Sequence, residues 1–121
     1  MILIAEDNPI ITNLLVRQIE KLGYKAIAVP CGGKAVEELL RNPVNLVLMD
    51  IQMPNVDGFE ATKRIRQIEQ KEGREHMPIV ALTAEATRQT CLAAGMDDYC
   101  QKPVLIDQLR DIVRKWHRRA S

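Results

Sequence analysis

The chain has 121 residues, 46% hydrophobic and 27% charged, which suits one domain with one real core and is too short for two ordinary ones. Its 17 Lys and Arg against 16 Asp and Glu leave a net charge of +1, arguing against both a polyanion-binding and a strongly acidic protein. No apolar run approaches the roughly 18 residues of a membrane span, and no basic lead precedes the N-terminal apolar stretch, so a soluble chain is expected. Cys31, Cys91 and Cys100 are odd in number and lack CxxC spacing, which points to free buried thiols in a reducing cytosol rather than a disulfide framework or zinc site.

Met1-Ile2-Leu3-Ile4-Ala5 is an apolar run ending on Glu6-Asp7-Asn8-Pro9, where Asn8 reads as an N-cap with proline at the first helical position. Ile11, Leu14, Leu15, Ile19 and Leu22 then recur at helical spacing, and Gly23 supplies a stop. Tyr24 to Val29 reads as a more peripheral strand, and Ala35, Val36, Leu39 and Leu40 mark a second amphipathic helix ending before Pro43. The run Leu46-Val47-Leu48-Met49 is uncharged until it stops at Asp50, as a strand buried on both faces would. Met53-Pro54 and Asp57-Gly58 follow as turn signals, then a helix with Phe59, Ile65 and Ile68 on one face. A polar connection is predicted from Glu69 to His76, a strand over Pro78 to Thr83, and a weaker helix over 85–94 closed by Gly95. Asp98 to Pro103 reads as a short strand ending on Lys102, and Ile106, Leu109, Val113 and Trp116 mark the last helix. Strands and helices thus alternate five times without a break in composition, a repeat or a linker. The physical solution is one α/β domain over 1–121, a parallel sheet covered on both faces through right-handed crossovers.

In such a sheet all carboxyl ends lie on one edge. Glu6 and Asp7 follow the first strand, Asp50 ends the third, Thr83 the fourth and Lys102 the fifth. A doubly wound order 2-1-3-4-5 sets the first and third strands side by side and brings Glu6, Asp7 and Asp50 into one crevice. Three crowded carboxylates repel unless a cation offsets them, and the fitting cation is hard and oxygen-seeking, Mg²⁺. Thr83 offers a hydroxyl and Lys102 a point charge, both suited to a phosphoryl group. The set amounts to a site for phosphoryl transfer onto Asp50 as nucleophile. The competing reading is that Asp50 caps a turn and that the other charges are solvated loop residues.

At these residues the chain resembles the response-regulator receiver domains, through Glu6-Asp7, Leu48 to Pro54 with Asp57-Gly58, Ala81-Leu82-Thr83-Ala84, and Lys102-Pro103. The resemblance implies a flavodoxin-like (βα)5 three-layer sandwich in a two-component phosphorelay, with Asp50 accepting a phosphoryl group from a partner histidine. It further implies Mg²⁺ bound by Asp7, Glu6 and Asp50 and by the backbone carbonyl of Gln52, a switch pair of Thr83 and Tyr99, and a cis peptide at Lys102-Pro103. The stretches Asp50 to Pro54, Gly58 to Thr62 and Ala94 to Tyr99 are most similar to receivers fused to hybrid sensor histidine kinases. That implies a histidine kinase domain or a histidine-containing phosphotransfer protein as partner, and a cytoplasmic setting that includes the cytoplasmic part of a membrane-bound kinase. It implies no direct contact with nucleic acid or membrane by this domain, and leaves a homodimer open. Opening on the first strand and stopping just past the last helix is what an excised module would do. One departure from the family is the short segment Glu85 to Thr90, which predicts a truncated fourth helix.

Other signals carry less. Gly32-Gly33-Lys34 after a strand lacks the glycine (Ala28 stands there) and the Ser or Thr (Ala35) of a phosphate-binding loop. A haloacid-dehalogenase-type phosphatase wants a second Asp where Gln52 stands. His76 and His117 read as surface residues, the basic end of the last helix (Arg110, Arg114, Lys115, Arg118, Arg119) as a solvated face, and Trp116 as a packing residue. A docking or dimerisation module without phosphotransfer is the alternative function.

Overall fold

The computed structural model describes residues 1–53 and 56–117, and ten elements alternate along these described residues. The first apolar run forms β1 (Ile2–Ala5), buried throughout, and Asn8 opens α1 (Pro9–Lys21) by accepting the amides of Ile10 and Ile11 at 2.9 and 3.4 Å. β2 (Ala26–Val29) is shorter than predicted, because Tyr24 packs into the apolar layer instead of pairing. α2 (Gly32–Arg41) leads to β3 (Leu46–Asp50), whose five residues are all buried. α3 (Gly58–Glu72) is capped by Asp57, which accepts the amide of Glu60 at 2.9 Å. It runs on through much of the expected polar connection, since Glu, Gln and Lys are good helix formers, and ends where Gly73 adopts φ 65°.

β4 (Ile79–Thr83) is again fully buried. α4 (Arg88–Ala93) has only six residues, shorter than the expected 85–94 and in line with the short segment before it. The cause is local: the Thr83 hydroxyl accepts the amides of Glu85 and Ala86 at 3.1 and 2.8 Å and holds them in a turn, and Thr87 starts the helix instead. β5 (Asp98–Gln101) and α5 (Ile106–Trp116) complete the chain, joined through a cis peptide at Lys102-Pro103. Arg118 and Arg119 of the predicted basic end lie outside the described residues.

The five strands form one parallel sheet in the order β2-β1-β3-β4-β5. Alternate residues divide the core, as strand geometry demands. Leu3, Ala5, Val47, Met49, Ile79 and Ala81 face the layer of α2, α3 and α4, while Ile2, Ile4, Leu46, Leu48, Val80 and Leu82 face α1 and α5. The register pairs Ala5 with Met49, Asp50 with Leu82 and Thr83 with Gln101. The residues that follow each strand therefore emerge along a common edge.

Candidate functional site

The edge carries the groups that the sequence placed there. Glu6, Asp7 and Asp50 each present a carboxylate oxygen, and these lie within 4.8 Å of one another. Glu6 and Asp50 are nearly buried, 3% and 4% exposed, while Asp7 faces solvent. From just beyond β5 Lys102 reaches back across β4, its Nζ 3.1 Å from Asp50 Oδ1 and 3.6 Å from Glu6 Oε2. The amide of Gln52 donates to Asp50 Oδ1 at 3.3 Å. Gln52 itself is exposed.

Backbone bonds hold the frame. The amide of Glu6 donates to Val29 O, that of Ile51 to Leu82 O and that of Lys102 to Thr83 O, each across to the neighbouring strand. The hydroxyl of Thr12, from the first turn of α1, donates to the carbonyl of Glu6 at 3.3 Å. Gly58 closes the turn after β3, its amide donating to Ile51 O at 2.9 Å. A side chain at Gly58 would collide with the carbonyl oxygen of Asp50, so this glycine is a condition of the close approach. Neither Thr12 nor the packing role of Gly58 was visible in the sequence, where Asp57-Gly58 reads only as a turn.

The electrostatics of the cluster are one-sided. Burial, the hydrogen bond and charge of Asp50, and the charge of Asp7 push the Glu6 carboxyl up to about 8, against the pull of Lys102. Glu6 Oε2 is buried without a hydrogen-bond partner. A buried carboxylate oxygen left in this way, beside two further carboxylates, fits a hard divalent cation with oxygen ligands. Of the expected metal residues, Glu6, Asp7 and Asp50 are together, with Gln52 two residues beyond.

The two residues expected as a switch pair are placed differently. Thr83 is buried on β4 at the same edge, with its hydroxyl occupied as an acceptor for the following loop. Tyr99 is half-buried against the layer of α2, α3 and α4. Of the residues set aside, His76 is exposed yet bound to Asp97 (Nε2 to Oδ1, 2.6 Å), and Trp116 does more than pack, donating its Nε1 to Asp98 Oδ2 at 2.9 Å.

The comparisons with known proteins agree with this geometry. The response regulator receiver domain model matches residues 2–114. The hybrid signal transduction protein dokA of Dictyostelium discoideum is 46% identical over 115 residues, 95% of this chain and 7% of that protein. The receiver domain of sensor histidine kinase PA1611 from Pseudomonas aeruginosa, whose structure holds a magnesium ion in the active-site cleft, is 38% identical with a TM-score of 0.84, covering 95% of this chain and 94% of that one. The receiver domain of Ssk1 from Saccharomyces cerevisiae, solved with the histidine phosphotransfer protein Ypd1, is 31% identical with a TM-score of 0.90, covering 96% and 87%. The relatives come from bacteria, a slime mould, yeast and rice, so they do not confine this chain to bacteria. The chain spans 7% to 14% of the length of the curated relatives it matches. With the acidic edge, the strand order and these likenesses in agreement over almost every residue, the chain belongs to the response regulator receiver domain family.

Proposed function

We propose that this domain is the phosphoacceptor of a phosphorelay, and that Asp50 receives the phosphoryl group from a histidine of a partner protein. The observation that carries the reading is the meeting of three carboxylates within 4.8 Å, with Lys102 Nζ 3.1 Å from Asp50. In the reaction a lone pair of an Asp50 carboxylate oxygen forms the new O–P bond. The P–N bond to the partner imidazole breaks, and its electron pair leaves with the ring. Lys102 stabilises the charge spread over the phosphoryl oxygens, and the Thr83 hydroxyl, from the neighbouring strand, can donate to one of them. Glu6, Asp7, Asp50 and the Gln52 carbonyl would hold Mg²⁺, which when bound neutralises charge on the phosphoryl group. Water attack on the acyl phosphate returns Asp50 and inorganic phosphate.

Access for the partner is supported by an apolar rim. Ile10 and Leu14 on α1 and Leu105 before α5 are exposed, Ile10 to 78% and Leu105 to 60%. Ile10 stands three residues beyond Asp7 and Leu105 three beyond Lys102, on neighbouring elements of one layer. Exposed apolar groups beside a charged cleft suit a protein that docks to deliver its histidine. A histidine kinase domain or a histidine phosphotransfer protein in the same compartment fills this role. No described helix is long and apolar enough to cross a membrane. Phosphorylation would draw the Thr83 hydroxyl away from the amides of Glu85 and Ala86 and so bias the loop before α4, with Tyr99 following.

Incubation with a small phosphoryl donor and Mg²⁺, followed by intact mass, tests the reading. One added phosphoryl group is expected, absent in Asp50→Asn and strongly reduced in Asp7→Ala and Lys102→Ala. No adduct on the wild type, from a small donor or from a cognate kinase, would leave a docking module without phosphotransfer.

A further inference from the structure

The two glycines that open α2, which the sequence leaves without a role, are not equivalent. At Gly33 an added Cβ meets nothing within 4 Å. At Gly32 it would lie 2.6 Å from the carbonyl oxygen of Val56, 2.9 Å from Ala61 Cβ and 3.0 Å from Val56 Cγ1. Gly32 is buried and its φ is not in the left-handed region, so what it supplies is space rather than backbone freedom.

Val56 belongs to the connection between β3 and α3, which also carries Gln52. That connection is confined from the other side as well. The missing side chain of Gly58 leaves its Cα against the Asp50 carbonyl and within reach of Ile51 Cα, where a Cβ would stand 2.9 Å away. The amide of Gly58 bonds Ile51 O, and Asp57 is fixed as the cap of α3. Beyond it, Ala61 and Thr62 are fully buried. A push on Val56 therefore bears on the connection that also carries Gln52, whose amide donates to Asp50 Oδ1 at 3.3 Å.

We infer that Gly32 is a positioning residue for the cation site: by leaving room for the Val56 carbonyl, it sets where the segment bearing Gln52 sits relative to Asp50. The inference rests on the phosphoacceptor reading, in which that segment supplies a backbone ligand. Mg²⁺ demands near-ideal octahedral geometry at short distances, so a displacement of several tenths of an ångström is enough to weaken binding. Groups that orient metal ligands without touching the metal typically change affinity by roughly 10-fold to 100-fold when altered.

The test is titration of the purified protein with MgCl₂ by calorimetry, with amide NMR spectra of the metal-free state, for the wild type, Gly32→Ala, Gly33→Ala and the double variant Gly32→Ala/Ala61→Gly. Gly32→Ala is expected to weaken Mg²⁺ binding by roughly tenfold or more while remaining folded. The amide resonances of Gln52, Val56 and Gly58 should shift even before metal is added, which a change in overall stability alone would not produce. Gly33→Ala should bind Mg²⁺ as the wild type does. Wild-type affinity in Gly32→Ala, from a protein that itself binds Mg²⁺ and accepts a phosphoryl group, overturns the inference and leaves the phosphoacceptor reading standing. A wild type that binds no Mg²⁺ removes both. If Gly32→Ala does not fold, the double variant Gly32→Ala/Ala61→Gly decides, because it removes the side-chain contact at 2.9 Å and keeps the added Cβ against the Val56 carbonyl: weakened binding supports the inference and unchanged binding overturns it.

Discussion

Asp98 is the first residue of β5 and nearly buried, yet four groups from three elements converge on its carboxylate. The amide of Tyr99 and Nη1 of Arg88 each donate at 2.8 Å, the indole Nε1 of Trp116 at 2.9 Å, and Lys115 Nζ lies 3.6 Å away. Burial pushes its pKa up, but the hydrogen bonds from Trp116 and Tyr99 and the charges of Lys115 and Arg88 outweigh it and hold the group below the ordinary range. Replacing Asp98 by Ala removes all of these. The side chains of Arg88 and Lys115 are 53% and 59% exposed and regain water, so their loss counts for little. The indole and the Tyr99 amide do not regain water so easily, and each lost bond to a charged acceptor costs about 1.5–3 kcal/mol. We therefore expect Asp98→Ala to cost about 3–6 kcal/mol in urea unfolding, and Asp98→Asn, which keeps one acceptor, roughly half of that. Because the folded pKa is depressed, the contribution is present above the unfolded value near 4 and is lost as pH falls through the folded one, so the gap between wild type and Asp98→Asn should close in acid. Trp116 is the only tryptophan, and its emission should report the release of α5. Mg²⁺ affinity should not change, since Asp98 starts its strand at the edge away from the acidic cluster. A cost below about 1 kcal/mol, with Trp116 emission unmoved, would refute the argument that this carboxylate ties α5 to the sheet.

Glu6 gives the opposite sign. Its folded pKa, about 8 against an ordinary 4.5, means that the metal-free protein retains a proton which the unfolded chain has lost. Stability without metal should therefore fall as pH rises from about 4.5 towards 8 and level off above. Urea midpoints in a chelator should show this slope, and Glu6→Gln should flatten it. Arg66 offers a test away from the site. Its guanidinium donates to the carbonyls of Gly95 and Met77 at 2.9 Å and pairs with Glu69 and Asp97, joining α3 to the turns before β4 and β5. Arg66→Lys keeps the charge but loses the fork, and should cost about 1–3 kcal/mol while leaving phosphorylation of Asp50 intact in the mass assay.

The legible part of the fold was that fixed by the neighbours of each residue in sequence. The runs at Ile2–Ala5, Leu46–Asp50 and Ile79–Thr83 are apolar because both faces are covered, and the first polar residue at each end marks the edge of the site although it is itself buried. Asn8 with Pro9 marks the start of α1, and Gly23 follows its end. The misjudged boundaries have a common cause. Glu69 to Glu72 is polar and looked like a loop, but its residue types favour helix, and Glu69 accepts the amide of Met77 at 2.7 Å while pairing with Arg66. Residues 85–87 looked helical, but the hydroxyl of Thr83 claims two of their amides.

The same division runs through the site. Acids, a hydroxyl and an amine at strand ends can be seen in one dimension, because a parallel sheet gathers carboxyl ends whatever lies between them. Fit between remote pairs cannot. Gly32 against Val56, and Asp98 against Trp116, are relations whose meaning appears only once two segments touch. The distances of Lys102 show why this matters for chemistry. It stands closer to Asp50 than to Glu6, 3.1 against 3.6 Å, which leaves the unpartnered oxygen on Glu6. A cation that binds beside this oxygen displaces the proton that burial and the neighbouring acids hold on Glu6, so metal binding and deprotonation of Glu6 are coupled. Lys102 remains within reach of Asp50 and of whatever group Asp50 attacks.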